Sequence, residues 1–221
     1  SVLLTVSIVI GQLAHFLDQL NIGEIATIGI VALMAITFHE AAHGYAAYRL
    51  GDDTAFRRGR MTLNPLKHID LIGTIALPAL LIAVHAPFIF GYAKPVPVKW
   101  SALRNPKRGM SLVAAAGPLT NIALGIVFAV LGYIVASDAN DGSWVVRAFN
   151  IGAATNFVLG LFNLLPIPPL DGSKILAGFL PDAFAEPYLK LGQFGVLSLL
   201  VALIGFAAIV ALVTLILRSI L

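Results

Sequence analysis

Long apolar runs constrain this chain more than any other feature of its sequence. They cover residues 1–17, 24–50, 71–90, 109–136, 147–165 and 193–217. About 20 apolar residues are enough to cross a bilayer as a helix, and backbone groups in lipid must find their partners within the segment. Only 11% of the 221 residues are charged, against about a quarter in soluble domains. The sequence therefore predicts an all-α, multi-pass integral membrane protein with about six transmembrane helices, in one domain over residues 1–221.

The third apolar run is the one least suited to a simple crossing. It contains Pro78 and Pro87, and the loops on both sides of it, 51–70 and 91–108, are basic. Because basic loops prefer the cytoplasmic side, we expect 71–90 to enter the membrane and return on the same side. Alternating Pro and Val in "GYAKPVPVKW", residues 91–100, favour an extended segment directly after it, which supports this prediction. The alternative is that 71–90 spans and one basic loop is external.

The second apolar run carries the motif H-E-x-x-H, as His39, Glu40 and His43. Positions i and i+4 share one helix face, so both imidazoles can bind one ion, and neutral imidazole is a good zinc ligand. In this spacing the glutamate acts as the general base of a metalloprotease. Ionisable side chains inside a membrane are costly, which favours a functional site over a pair of core histidines.

A catalytic zinc needs a third protein ligand, and the sequence leaves several candidates. The chain has no cysteine, so the ligand is a histidine or a carboxylate. The candidates are His15, His68, His85, Asp171 and Glu186. Asp171 stands at a predicted helix start within an apolar stretch, where it is either an N-cap or the ligand.

Several motifs in the same order make the chain resemble the site-2 protease family of intramembrane zinc metalloproteases. They are "HEAAH" at 39–43, "NPLKH" at 64–68, "GYAKPVPV" at 91–98, "AGPLTN" at 116–121 and "NLLPIPPLDG" at 163–172. The resemblance covers residues 24–175. It is to the compact branch of the family, whose members have no PDZ or CBS domain. It implies one Zn²⁺ per chain, held by His39, His43 and Asp171, with Glu40 as the base. It also implies that Asn163 lies beside the active site, where it helps to hold the substrate or the oxyanion.

The remaining motifs have two interpretations each. Small residues before Asn121 favour close helix packing, while its amide could face the cleft. His68 either closes a loop or lies near the site as a polar group. The segment with Lys94, Pro95 and Val96 is either structural or an exposed edge on which an unwound substrate could pair.

The predicted function is hydrolysis of peptide bonds within or near transmembrane segments, with the lipid bilayer and a membrane-protein substrate as partners and no nucleic acid. The expected location is a bacterial or archaeal cell membrane, with the active site nearer the cytoplasmic face. Two alternatives stay open. One is a membrane metal carrier, which would leave Glu40 without a role. The other is a catalytically silent relative that binds membrane proteins.

Overall fold

Three long helices dominate the computed structural model, which describes residues 22–84, 91–138 and 143–195. They are α1 (Ile22–Arg49), α4 (Pro106–Asp138) and α5 (Trp144–Asn163). Each is long and apolar enough to cross a membrane. The described part of the chain is helical and contains no β-strand, which agrees with the predicted all-α class. The predicted spans 1–17 and 193–217 lie outside the described residues, apart from 193–195.

The shorter elements join the long ones. Helix α2 (Thr54–Arg57) follows α1, and a 3₁₀ turn covers Pro65–Lys67. A π-helical turn (Leu71–Ala76) runs into α3 (Leu77–Ala83), and a second 3₁₀ turn covers Trp100–Ala102. After α5 come α6 (Asp171–Ala177), α7 (Asp182–Lys190) and a 3₁₀ turn at Leu191–Phe194.

Small residues let α4 and α5 approach closely. A Cβ on Gly152 would lie 2.6 Å from the ring of Phe128, and one on Gly125 would lie 2.9 Å from the ring of Phe157. Each helix thus presents a glycine to an aromatic ring of the other, as is common where membrane helices pack. Helix α4 also packs against α1 and α6, so it forms the centre of the described bundle.

The third apolar run is a short helix in its described part, residues 71–84. Its helical part ends at Ala83, and the chain is back beside its starting point at Tyr92, whose N–H donates to the Gly73 carbonyl at 3.0 Å. Thirteen helical residues, 71–83, rise only about 20 Å, which is short of the ~30 Å hydrocarbon core. The described helix of this run is therefore shorter than the hydrocarbon core of a bilayer.

The segment 91–99 returns without regular secondary structure and is held at regular intervals. The N–H of Lys94 donates to the His68 carbonyl at 2.9 Å, and that of Lys99 to the carboxylate of Asp52 at 2.6 Å. Burial alone would raise the pKa of Asp52, but hydrogen bonds from Thr54 and Lys99 outweigh it and hold this pKa below its usual value. Asp52 thereby fixes the segment to the end of α1.

Candidate metal centre and cleft

Two histidines of α1 meet one aspartate of α6 in a buried cluster. The Nε2 atoms of His39 and His43 lie 3.0 Å apart, and each lies 3.1 Å from Oδ2 of Asp171. All three side chains are buried. Among the described residues, these three are the His and carboxylate side chains whose ligand atoms lie close enough together to hold one metal ion. The structure thus brings together the three residues that the family resemblance implies as ligands, with Asp171 more than 120 residues from the two histidines.

The hydrogen bonds of the other ring nitrogens decide which atoms are available to a metal. Nδ1 of His43 lies 2.7 Å from the Val113 carbonyl, which can only accept, so this nitrogen carries the proton. Nδ1 of His39 lies 2.6 Å from Oδ1 of Asn121. Both Nε2 atoms of the neutral rings therefore present lone pairs, and the carboxylate oxygen presents another. Three lone pairs that converge within about 3 Å repel one another unless a cation lies between them, which fits a zinc site.

Gly117 of α4 keeps the space beside these nitrogens open. A Cβ at this position would lie 2.5 Å from Nε2 of His43 and 2.6 Å from Nε2 of His39. These distances are shorter than real Cβ contacts allow. The missing side chain therefore leaves room on the face of the cluster where a metal ion would sit.

Asp171 reaches the cluster because the chain breaks its helix before it. Pro166, Pro168 and Pro169 interrupt the run between α5 and α6, and Asp171 is then the first residue of α6. Its second oxygen, Oδ1, accepts from Nζ of Lys174 at 2.9 Å. The ammonium of Lys174 beside this oxygen favours the ionised form of Asp171. Asp171 is therefore a carboxylate with one oxygen directed at the histidines.

Glu40 lies beside the cluster but is not part of it. Its Oε2 accepts from the Val96 N–H at 2.7 Å. It lines a cleft of about 620 Å³ together with the three clustered residues. Other residues of this cleft are Pro95, Val96, Asn163 and Lys174. A carboxylate held next to a metal-binding cluster and open to a cleft is suitably placed to accept a proton from water.

The structure places the other sequence-predicted site residues in two groups. Asn163 lines the cleft, and its Nδ2 donates to the Leu159 carbonyl at 2.9 Å. Lys94 and Pro95 are exposed on the returning segment, and Nη2 of Arg60 donates to the Lys94 carbonyl at 2.7 Å.

Asn121 and His68 are both fully buried. Asn121 lies on the edge of His39 opposite Nε2, which favours orientation of that ring over contact with a substrate. His68 supports the returning segment, because its Nε2 donates to the Thr62 carbonyl at 2.9 Å and its own carbonyl accepts from Lys94.

The other candidates for the third ligand are not in the cluster or lie outside the described residues. Glu186 is on α7, where it forms an ion pair with Lys190 at 2.8 Å. His68 pairs with the Thr62 carbonyl instead. His15 and His85 lie outside the described residues.

Sequence reasoning missed three residues at or behind the site. Gly117 reads as a helix-packing glycine, Asn156 as an isolated polar residue of a span, and Lys174 as a helix-surface cation. Of the three, only Asn156 gave a signal in the sequence, because it is a polar side chain in an apolar run and such residues need a partner.

These features together define a metallopeptidase site built on a membrane-spanning helix, and the comparisons with known proteins agree. The family model described as peptidase family M50 matches residues 133–207. The relative named "Putative zinc metalloprotease YwhC", from Bacillus subtilis, is 38% identical over 177 residues, which are 78% of this chain and 77% of that protein. No solved structure matches the chain.

Two further relatives carry the same designation. Rip2 of Mycolicibacterium smegmatis is 34% identical over 78% of this chain, which covers 64% of Rip2. MJ0611 of Methanocaldococcus jannaschii is 34% identical over 66% of this chain and 69% of its own length. The chain belongs to peptidase family M50, the site-2 protease family, and it is a zinc metallopeptidase and an integral membrane protein.

Proposed function

We propose that the chain is an intramembrane protease, which hydrolyses peptide bonds within or near the transmembrane segments of other membrane proteins. The observation that carries this proposal is the depth of the site. His43 and His39 precede Arg49, the last residue of α1, by six and ten residues. At 1.5 Å per residue they lie about 9 to 15 Å from that end of the helix. A hydrolytic site at this depth meets peptide bonds that are themselves within the bilayer.

The basic loops support a cytoplasmic end for this side of the bundle. The N–H of Arg104 donates to the Leu50 carbonyl at 2.9 Å, so the basic loops 51–70 and 91–108 meet at the same end of α1. Their shared charge favours the cytoplasm. On this account 71–90 is re-entrant, and the site opens toward the cytoplasmic face of a bacterial or archaeal cell membrane. The named relatives come from bacteria and archaea.

Each site residue has its own role in the proposed hydrolysis. His39, His43 and Asp171 would hold zinc, which supplies a Lewis acid for the scissile carbonyl and lowers the pKa of a bound water. Glu40 takes the proton of the attacking water and delivers it to the leaving amine. One N–H of the Asn163 amide donates to the Leu159 carbonyl. Its other N–H can donate to the scissile carbonyl oxygen of the substrate as negative charge develops there.

The substrate in this proposal is a membrane segment that has locally lost its helix. A helical peptide bond hides its carbonyl in the helix hydrogen bonds, so it must unwind to reach Glu40. The segment with Lys94, Pro95 and Val96 borders the cleft and offers an extended surface for the unwound strand. Pro95 and Pro97 lack an N–H, and the N–H groups of Lys94 and Val96 already donate to His68 and Glu40, so this surface offers the substrate few hydrogen-bond donors.

Mapping the cut in a membrane tests this proposal. Purified protein is reconstituted in liposomes with a panel of single-span peptides, and the products are identified by mass spectrometry. Cuts within the apolar span, lost with a zinc chelator and in Glu40→Gln, are expected. Cuts confined to the soluble flanks would contradict an intramembrane site. Transport of zinc across the liposome membrane without any cut would favour the metal carrier. Stoichiometric zinc binding with neither cleavage nor transport would favour the silent relative.

A further inference from the structure

A chain of buried amides runs from His39 into α5. Asn121 of α4 and Asn156 of α5 are 0% and 1% exposed. Nδ2 of Asn121 donates to Oδ1 of Asn156 at 3.1 Å and to the Ala35 carbonyl at 3.1 Å. Nδ2 of Asn156 donates to the Gly152 carbonyl at 2.9 Å. Three helices therefore contribute to one hydrogen-bonded row that ends on the imidazole of His39, and we call this row the asparagine relay.

The partners in the relay fix the orientation of each amide. The Gly152 carbonyl can only accept, so Asn156 must direct its nitrogen at Gly152 and its oxygen at Asn121. Asn121 then faces two acceptor oxygens, on Asn156 and Ala35, and must direct its nitrogen at both. Its oxygen is left facing Nδ1 of His39 at 2.6 Å. A reversed Asn121 amide would set oxygen against oxygen in two places, which is costly in a dry interior.

The orientation of Asn121 in turn decides the tautomer of His39. An amide oxygen opposite Nδ1 requires a proton on Nδ1, so the lone pair of the neutral ring is on Nε2, the nitrogen that faces Asp171. We propose that Asn156 is a positioning residue for the metal site, which acts through Asn121 to hold His39 in its metal-binding tautomer. The inference rests on the proposed zinc site, since it assigns Asn156 a role only if His39 binds a metal.

The expected effect follows from what such outer partners do elsewhere. Loss of a group that hydrogen-bonds a metal-binding histidine typically costs 10–100-fold in metal affinity. Asn121 keeps its contact with Ala35 when Asn156 is replaced, so the effect of Asn156 belongs at the low end. We expect Asn156→Leu to weaken zinc binding about tenfold and Asn121→Leu to weaken it by ~10–100-fold.

The experiment is a double-mutant cycle with the zinc dissociation constant as its readout, measured by chelator competition on the purified full chain in detergent. If Asn156 acts through Asn121, the double variant binds zinc as weakly as Asn121→Leu alone. Thr37→Val is the matched control, because Thr37 is also fully buried on α1 but bonds only the Leu33 carbonyl of its own helix. The control should keep the zinc affinity of the unchanged protein.

Two results would overturn the inference. One is wild-type zinc affinity in Asn156→Leu, and the other is additive losses in the double variant. A second measurement needs no variant of Asn121 or Asn156. ¹⁵N NMR of the metal-free protein, with the His39 signal assigned by its loss in His39→Gln, should show the proton on Nδ1. A proton on Nε2 would refute the relay even if Asn156→Leu fails to fold. Absence of zinc binding by the unchanged protein would instead refute the proposed site itself.

Discussion

Gly117 gives the sharpest test of the metal site, because one methyl group should close it. In Gly117→Ala the new Cβ would lie 2.5 Å from Nε2 of His43 and 2.6 Å from Nε2 of His39. Reaching the shortest realistic contact of 3.0 Å requires a shift of about 0.5 Å. The two rings cannot retreat freely, since each is held by its Nδ1 hydrogen bond, at 2.7 and 2.6 Å.

The cost of such overpacking sets the expected loss of metal affinity. Extra methyl groups in tightly packed interiors cost about 1–3 kcal/mol. If the rings move away from Asp171 to make room, that cost falls on the zinc-bound state, and affinity drops by roughly 5- to 150-fold.

Chelator competition on the purified protein measures this loss. Gly132→Ala is the matched control, because it adds the same methyl to the same helix but away from the site, 3.1 Å from Cβ of Phe149. It should bind zinc like the unchanged protein. Wild-type zinc affinity in Gly117→Ala would show that the metal does not lie between these two histidines, and the reasoning would be wrong.

Three further predictions concern the residues around the cluster. Val96→Pro removes the N–H that Glu40 accepts at 2.7 Å, so cleavage should fall about tenfold or more with zinc retained. Val96→Ala keeps the N–H and should cleave better than Val96→Pro; the opposite order would refute the contact. Lys174→Met removes the ammonium that hydrogen-bonds Oδ1 of Asp171 at 2.9 Å. Because loss of such a partner typically costs about 10–100-fold in metal affinity, zinc should bind more weakly by chelator competition, and unchanged affinity would contradict this. Asp52→Asn should lower stability by about 1–3 kcal/mol at pH 7. The pKa of Asp52 is depressed in the folded protein. The stability difference between the unchanged protein and Asp52→Asn should therefore keep its whole value above about pH 4 and become smaller as the pH falls further. Thermal unfolding of both metal-free proteins from pH 7 to pH 3 measures this stability difference. A difference that stays constant over this range would contradict the prediction.

Local sequence patterns were enough to predict the three long helices of the described residues. The span predicted over 24–50 is observed as Ile22–Arg49, and Gly51 follows it with a φ of +113°, a conformation that glycine adopts readily. The span predicted over 109–136 is observed as Pro106–Asp138. Both follow from the length of the apolar run and from the residues that end it. Helical periodicity likewise predicted that His39 and His43 share a face.

The rest of the site depends on tertiary contacts that no local pattern carries. Residue spacing left Asp171 as either an N-cap or a ligand, and only the resemblance to a family selected it. Gly117 and Asn156 acquire their contacts because α4 packs between α1 and α5, and a sequence does not state which face of an apolar helix meets which neighbour. The third apolar run shows the same limit, since Pro78 and Pro87 indicated only that it is broken and did not predict the helix that ends at Ala83.

The most direct test of the central claim measures zinc content and cleavage on the same preparations of the unchanged protein and Glu40→Gln. The account predicts one zinc per chain in both, because Glu40 is not among the clustered ligands, and cleavage of a single-span peptide only in the unchanged protein. Loss of zinc from Glu40→Gln would make Glu40 a ligand, and cleavage by Glu40→Gln would remove its role as the base. Either result would contradict the account.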